Sequence, residues 1–600
     1  MNKNIIIKGL LSIVMAGGLV SCSDDYLDTK PETSIPSTDV AASTTAAKMA
    51  IYGLCSAMNT QYSGTSYNNY NGESYINTVC FETFGPDYIS GLWMASMGAE
   101  GFNWRMFDNE RWIFNAVPWN YCYNLVSQAN AVLAGIDNAE GDAQERKFLK
   151  AQALTFRAHA YTKLLQLYAP RWEDSNNGEK YCIVLRTEPG TEDIPLCKMN
   201  DVLTLIYDDC KNAVQLYGES QGRRSYKWEP DMSVAYGVLA RAAMIKHDWA
   251  TAQDAAKNAR SGYTVMDANT YLAGFVNTNN DFIWNQGQDA SDIYYWAFGS
   301  TYACNGRYVQ SWGVGAGAIS IDLYDQLDPN DIRRDLYLTP DKVIETPASY
   351  NPDNMEPEDF WNPDWVDDTN TLDVASGADY ANAEGTAIRA AGLRPIAMYW
   401  ILMEWQQINT ANIDWALYPY LGLDYLSNIP SNQQDYYWQL GSNIAGGPVT
   451  MPFGAQFKFW GGDIYGVSAY PFMRASEMCL TEAEAAFMAG DETTAKECLK
   501  EINSKRISGY SCSKTGQALL DEIRLTRRIE LWGEGFGWPD FKRWNLPCER
   551  RQWVAKDPTS GNWPSGYAVS HPTTDANGWR FTIPAAETDY NKAIDRSLLK

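Results

Sequence analysis

The chain has 600 residues, of which 45% are hydrophobic and 13% aromatic, so it can bury a large core and is not a disordered chain. Its net charge of -25 repels phosphate backbones and excludes an ordinary nucleic-acid-binding surface. With only three histidines, the composition disfavours histidine-based metal sites and His-dependent catalytic triads. The 23 tryptophans and 37 tyrosines are an excess that the function has to explain.

The first 21 residues have the pattern of a secretory signal peptide. Lys3 and Lys8 form a positive region, and the apolar stretch 9–20 that follows is too short to span a bilayer as a helix. The sequence Leu-Val-Ser-Cys at 19–22 resembles the lipobox of bacterial lipoproteins, so we expect Cys22 to carry a lipid. The alternative is a buried cysteine beside an ordinary signal peptide.

Apolar residues at spacings of three and four predict long helices further along the chain. Between 142 and 168 they define one buried face of a long helix, and the segment 200–217 repeats the pattern after an asparagine cap. Cys479 and Cys498 fall at helix-core positions, where they resemble small hydrophobic residues. No C-x-x-C pair occurs, which disfavours zinc ribbons and thioredoxin-like motifs.

Two segments match each other at an offset of 243 residues. Residues 235–259 align with 478–502, which places Asp248 on Asp491 at the start of a second helix in each segment. Each unit predicts a helical hairpin whose small facing residues allow close packing, and the spacing resembles the tetratricopeptide repeat. We predict a mostly α fold, in which tetratricopeptide-type helical hairpins form a scaffold that carries long, aromatic-rich loop inserts.

The tryptophans are distributed unevenly between the helical segments and the inserts. The helical segments 142–168, 199–261 and 470–535 contain three of them, whereas residues 62–122 and 279–465 contain fourteen. Long loops are usually functional or disordered, and disordered segments lack aromatic residues. The inserts are therefore expected to be ordered, partly exposed surfaces.

Several local sequences together resemble one family, and they extend over nearly the whole chain. They are SCSDDYLDTKPET (21–33), FRAHAYTKLLQLYAPRW (156–172), DPNDIRRDLY (328–337), YPFMRASEMCLTEAEAAFMAG (470–490), RLTRRIELWGEGFGWPDFKRWN (524–545) and IPAAETDYN (583–591). In this order they resemble the SusD/RagB family of surface lipoproteins from Bacteroides-type bacteria.

The resemblance implies a function as well as a fold. SusD-like proteins are mostly helical, contain tetratricopeptide-type hairpins, and capture oligosaccharides or, in some members, peptides at the cell surface. They cap a SusC-like, TonB-dependent outer-membrane transporter as a hinged lid, and they are not enzymes and need no cofactor. Ser23, Asp24 and Asp25 resemble the acidic export tag of such lipoproteins, which implies lipid anchoring on the exterior of the outer membrane. The mature chain, 22–600, is then one SusD-like domain with an N-terminal part to about residue 270 and a C-terminal part from about 271.

A sugar-binding site needs flat aromatic rings with planar polar groups beside them, because sugars present C–H faces and hydroxyl edges. Aromatic clusters of this kind extend over 67–112, 281–312 and 399–438, and the resemblance to the family favours the first two. The ligand-binding residues that we predict in these two clusters are Trp93, Trp104, Arg105, Trp284, Tyr294, Tyr295 and Trp296.

The segment 524–545 also has a purely structural interpretation. Arg527, Arg528, Glu530 and Glu534 have the spacings of ion pairs on a helix surface, and the glycines that follow would end the helix. We favour a structural buttress that does not contact the ligand.

Three other functions remain open. A glycoside hydrolase also uses aromatic residues and paired carboxylates, but the chain lacks the strand–helix alternation of a TIM barrel. A peptide-binding lid and a purely structural partner of the transporter are the other two. The acidic loop 328–335 has the oxygen-rich composition that suits calcium, but the EF-hand spacing is absent, so we predict no metal.

Overall fold

The structure is a computed structural model. It describes residues 40–59, 72–89, 107–220, 222–272, 275–287, 317–337, 437–444, 447–452, 468–552 and 579–599, with short pieces within 454–459 and 559–572. The main hydrophobic core extends from Ala41 to Ile583 and draws on both the N-terminal and the C-terminal parts of the chain.

Helices dominate the described residues, as the sequence predicts. In chain order the α-helices are α1 (Thr44–Asn59), α2 (Ile113–Gly135), α3 (Ala143–Tyr168), α4 (Met199–Ser220), α5 (Met232–Lys246), α6 (Trp249–Ala259), α7 (Ala268–Leu272), α8 (Ile321–Tyr324), α9 (Ala475–Met488), α10 (Glu492–Asn503), α11 (Gly516–Glu530), α12 (Gly537–Trp544) and α13 (Ala585–Tyr590). A short helix, Glu73–Tyr75, continues as a π-helix over Ile76–Glu82. No helix among these residues is both long enough and apolar enough to cross a membrane.

The strands form two-stranded antiparallel pairs. They are β1 (Tyr88–Ile89), β2 (Tyr181–Val184), β3 (Leu196–Lys198), β4 (Phe282–Asn285), β5 (Ala318–Ile319), β6 (Tyr437–Ile444), β7 (Gly447–Pro452) and β8 (Pro471–Arg474). The pairs are β1 with β5, β2 with β3, β4 with β8, and β6 with β7. Two of these pairs, β1 with β5 and β4 with β8, connect distant parts of the chain.

Helix α3 lies at the centre of the helical scaffold. Asp142 caps it, since its Oδ1 accepts hydrogen bonds from the backbone N–H groups of Gln144 and Glu145 at 2.9 and 2.8 Å. The sequence predicts one buried face, but from Phe148 onward α3 is buried on nearly all sides. Its polar residues tolerate burial because they are paired: Arg157 makes a bidentate contact with Asp209 of α4 at 2.7 and 2.8 Å.

The two predicted helical hairpins are confirmed as α5–α6 and α9–α10. Asp248 and Asp491 occupy equivalent N-cap positions, and each accepts a hydrogen bond from the N–H three residues later. The residues before them, His247 and Gly490, both have positive φ, 58° and 89°, as is usual where a helix ends in the left-handed conformation. The two matching sequence segments therefore form hairpin turns with the same geometry.

The two hairpins also pack on each other. Arg260, which follows α6, donates from Nε to Glu482 at 2.7 Å and from Nη1 to Glu501 at 2.9 Å. Cys479 and Cys498 are buried free thiols between α9 and α10, which agrees with their predicted role as small hydrophobic residues.

Replacing Asp248 with alanine is expected to lower the free energy of unfolding by about 1–2 kcal/mol, because the first turn of α6 loses its cap. The carboxylate also accepts a hydrogen bond from the Tyr207 hydroxyl at 3.1 Å, which alanine removes as well. Chemical denaturation measures the change. Asp248→Asn is the matched control, since asparagine caps about as well as aspartate, and equal destabilisation by the two substitutions would contradict the capping role.

The prediction that the charged residues of the 524–545 segment form ion pairs on a helix surface is wrong. Their side chains are buried or half-buried, and each contacts a different part of the fold because its charge needs a partner away from water. The pairs are Arg527 with Asp540, Arg528 with Asp87, Glu530 with Arg506, and Glu534 with Arg474. The segment thus binds α11, α12 and the centre of the molecule together.

In the acidic loop 328–335, the central aspartate forms a buried ion pair within the loop. The Asp331 carboxylate lies 2.6 Å from the Arg333 guanidinium, and both side chains are buried. No group of three or more potential metal ligands occurs among the described residues.

Candidate functional site

Most of the predicted binding residues lie in two segments outside the described residues. Trp93, Trp104 and Arg105 belong to segment 90–106, and Tyr294, Tyr295 and Trp296 belong to segment 288–316. The proposed lipidation site, Cys22, lies within 1–39, which is also outside them. These residues stay predictions, and the structure shows where the chain enters and leaves their segments.

The first meeting point of the inserts is the contact between Asn59 and Gly287. Asn59 ends α1, and Gly287 follows β4, although the two are 228 residues apart. The Gly287 N–H donates to Asn59 Oδ1 at 3.2 Å. Segments 60–71 and 288–316 therefore begin next to the same contact, which we call the first junction.

The second meeting point is the strand pair β1–β5, which we call the second junction. Tyr88 pairs with Ile319, and Ile89 pairs with Ala318. Segment 90–106 begins directly after Ile89, and segment 288–316 ends next to Gly317, the residue before β5. Gly317 is required here, because a Cβ at this position would overlap with the Tyr88 ring.

Residues of the 524–545 segment hold the second junction in place. Arg528 makes two hydrogen bonds to the Asp87 carboxylate at 2.7 and 2.8 Å, and Trp532 Nε1 donates to the Asp87 carbonyl at 2.9 Å. Burial opposes the charge of Arg528, but Asp87 outweighs that effect and raises the pKa of Arg528. Asp87 is a polar member of the first aromatic cluster, and its contacts with Arg528 and Trp532 anchor β1.

Trp284 is the one predicted binding residue among the described residues, and it lies in the core. Its side chain is 0% exposed, and its ring contacts His159 and Phe472 at centroid distances of 5.0 and 5.6 Å. Trp284 Nε1 donates to the Trp228 carbonyl at 2.9 Å. This corrects the expectation for Trp284. All of β4 is buried, so the indole offers no stacking face to a ligand and instead supports the loop that contains Trp228.

The same correction applies to other described aromatic residues of the inserts. Trp112 and Trp119 are 6% and 2% exposed, and helix α2 already begins at Ile113, so the predicted insert 62–122 ends earlier than the composition suggests. Tyr75, at 7% exposed, belongs to the core as well. Aromatic enrichment alone does not separate core from surface, because both environments favour these residues.

Two half-buried aromatic residues that the sequence did not single out, Trp228 and Tyr52, lie at the first junction. Trp228 packs beside it, since a Cβ at Gly287 would be 3.4 Å from Trp228 Cδ1. The Tyr52 ring of α1 meets the Trp228 ring edge-on, with centroids 5.2 Å apart. The available signal was the short sequence between α4 and α5, where glycine, proline, tyrosine and tryptophan occur together in what is otherwise a helical region.

Comparison with known proteins identifies the family. A family model described as the SusD family matches residues 280–597, more than half of the chain. The chain belongs to the SusD family. A second SusD-like family model, described as starch-binding associating with outer membrane, matches residues 25–244. The comparison with curated proteins finds no match.

Solved structures of SusD-type proteins share the fold over nearly the whole chain. A SusD-like carbohydrate binding protein from Bacteroides vulgatus superposes with a TM-score of 0.64 at 18% identity, covering 92% of this chain and 98% of that one. A SusD superfamily protein from Bacteroides thetaiotaomicron gives 0.60 at 17% identity, covering 92% and 99%. One from Bacteroides fragilis gives 0.57 at 16% identity, covering 93% and 100%. At these identities the likeness shows the SusD fold alone.

Proposed function

We propose that this SusD-family protein captures an oligosaccharide at the cell surface and delivers it to a SusC-like, TonB-dependent outer-membrane transporter. The observation that carries the proposal is that the described residues flanking the aromatic inserts meet at the two junctions. The scaffold brings together the ends of segments that are more than 200 residues apart in the sequence. A rigid helical base with functional loops is the usual arrangement of a binding protein.

The chemistry of these segments suits a sugar. Trp93 follows Ile89 by four residues, and chain geometry limits its Cα to within about 14 Å of the second junction. Trp104, Tyr294, Tyr295 and Trp296 supply further rings, and Arg105 supplies a planar hydrogen-bond donor. Aromatic faces stack on the C–H faces of sugars, while the planar polar groups bind the hydroxyl edges.

The proposal includes attachment to the outer membrane through a lipid on Cys22. The lipobox at 19–22 and the acidic residues after it support attachment and outward exposure. The match to the family model described as starch-binding associating with outer membrane supports both the saccharide and the location. The carbohydrate-binding relative from Bacteroides vulgatus supports the same ligand class.

The proposed role is binding without catalysis. Incubation with the bound glycan should therefore leave its length unchanged, as measured by the number of reducing ends over time. An increase in reducing ends that depends on the protein would show a glycoside hydrolase instead.

The substitutions Trp104→Ala and Trp296→Ala are each expected to weaken glycan binding about 10-fold, or about 1.4 kcal/mol, through the loss of a stacking ring. Affinity electrophoresis measures the change, and circular dichroism checks that the fold is intact. Tyr590→Ala is the matched control, since Tyr590 is 81% exposed and lies on α13, which contributes to neither junction. Unchanged affinity in both tryptophan variants would contradict the site assignment.

A further inference from the structure

The hairpin α9–α10 has one cysteine on each helix, and their side chains meet inside it. Cys479 Sγ lies 3.4 Å from the Cys498 carbonyl oxygen, although the two residues are 19 positions apart in the sequence. The Cys479 thiol also forms a hydrogen bond with the Cys498 thiol, which together with burial holds the pKa of Cys479 well above its ordinary value. Two thiols that contact each other across packed helices are the starting arrangement for a disulfide bond.

The surrounding residues enclose this pair of thiols completely. Cys479 is 0% exposed and Cys498 is 2% exposed. Val265 and Ile523 belong to the same hydrophobic cluster, and Arg260 Nη2 lies 3.8 Å from Cys498 Sγ on the side of the first hairpin. A buried, neutral thiol does not react with an oxidant in solution. The oxidation state of the two cysteines is therefore fixed before the cluster closes around them.

The order of folding gives an oxidant access to the pair. Only three residues separate the end of α9 from the start of α10, so the hairpin is a local structure. Val265, by contrast, joins the cluster from more than 200 residues away. Local contacts form faster than long-range ones, so the two cysteines meet before they are enclosed. In an exported bacterial protein this happens in the periplasm, an oxidising compartment in which disulfides form and persist.

We propose that a disulfide bond joins Cys479 to Cys498 in the exported protein and closes the α9–α10 hairpin covalently. The inference rests on the export that is part of the proposed function. Each thiol loses one hydrogen atom as the S–S bond forms. The two electrons and two protons reduce the disulfide of a thiol–disulfide oxidoreductase in the cell envelope to two thiols. The bond restricts the unfolded chain and so stabilises the folded hairpin.

Mass spectrometry of the full chain, purified from the envelope of cells that export it, tests the bond. Free thiols are alkylated in denaturant, and the protein is then digested with trypsin without reduction. Trypsin cuts after Arg474, Lys496 and Lys500, which places the two cysteines in the separate peptides 475–496 and 497–500. We expect these peptides to be recovered joined, two hydrogen atoms lighter than the sum of their masses, and to separate after reduction.

Two controls accompany the digest. The peptide 199–211 contains Cys210, which is equally buried on α4 and should be recovered alkylated. The variant Cys498→Ser should release the peptide that contains Cys479 in alkylated form. Thermal unfolding measures the effect of the bond on stability. A reductant present during heating should lower the unfolding midpoint of the wild type and leave that of the double variant Cys479→Ala, Cys498→Ala unchanged.

The disulfide bond and the proposed function fail through different results. Recovery of 475–496 and 497–500 as separate alkylated peptides from the exported wild type would overturn the bond. Glycan binding by that same preparation would leave the proposed function standing. Joined peptides from a chain that binds no glycan would confirm the bond and contradict the capture of a glycan. A chain that stays in the cytoplasm with both thiols alkylated would contradict the export, and the bond with it.

Discussion

Replacing Glu530 with glutamine is expected to lower the free energy of unfolding by about 3–5 kcal/mol. The carboxylate is 0% exposed and is shared by three buried guanidinium groups. Oε1 accepts from Arg474 and Arg506 at 3.1 and 3.0 Å, and Oε2 accepts from Arg333 and Arg506, both at 3.0 Å. Glutamine keeps the shape but leaves these cations with one negative charge fewer in a region away from water.

The matched control is Glu497→Gln, which removes a carboxylate from the exposed face of α10. A substitution there is expected to change the free energy of unfolding by no more than about 0.5 kcal/mol. Chemical denaturation of both variants and the wild type measures the difference. Similar small effects in the two variants would contradict the view that Glu530 is a central support of the fold.

The same carboxylate makes stability depend on pH in a defined direction. Burial opposes the ionisation of Glu530, but the guanidinium groups of Arg506 and Arg474 outweigh that effect and lower its pKa below the ordinary value of 4.5. A lowered pKa in the folded state contributes stability above pH 4.5, and this contribution is lost as the pH falls toward the folded-state pKa. The wild type should therefore lose more stability than Glu530→Gln between pH 5 and pH 3, and the loss should continue below pH 3.

Trp284→Ala is expected to destabilise the protein by a comparable amount, about 3–5 kcal/mol, because it opens a cavity in the core between α3 and β8. It also removes the hydrogen bond from Nε1 to the Trp228 carbonyl. Trp284→Phe is the matched control, since it fills most of the cavity and is expected to lose about 1–2 kcal/mol through the missing hydrogen bond and the smaller ring.

The two Trp284 variants also separate support from ligand contact. If Trp284 is a core residue that does not contact the ligand, Trp284→Phe should bind glycan with nearly wild-type affinity while its unfolding midpoint falls. Thermal unfolding and glycan titration of the same preparation measure the two quantities. A large loss of affinity in Trp284→Phe with unchanged stability would contradict the core position.

The helical scaffold could be predicted from the sequence because its signals are local. The apolar spacing of α3 and the aligned aspartates Asp248 and Asp491 depend on residues within a few turns of each other. The bounds of α3 and the turns before α6 and α10 therefore match the sequence closely, although α3 is buried on nearly all sides and not on one face.

The candidate site was only partly predictable, for two physical reasons. A buried strand that contains Trp284 and an exposed loop rich in tryptophan have similar compositions, since packing and stacking both use aromatic rings. The Asn59–Gly287 contact and the partners of Glu530 join residues far apart in the sequence, and nothing in the local pattern specifies such pairs.

The most direct test of the proposed function is a binding screen of the full chain against a glycan array and a pool of peptides, under identical conditions. We predict binding to one oligosaccharide or to a small group of related ones, without binding to the peptides. Binding to peptides alone would show a peptide-binding member of the SusD family, and binding to neither would indicate a purely structural partner of the transporter. Either of these two results would contradict capture of a glycan.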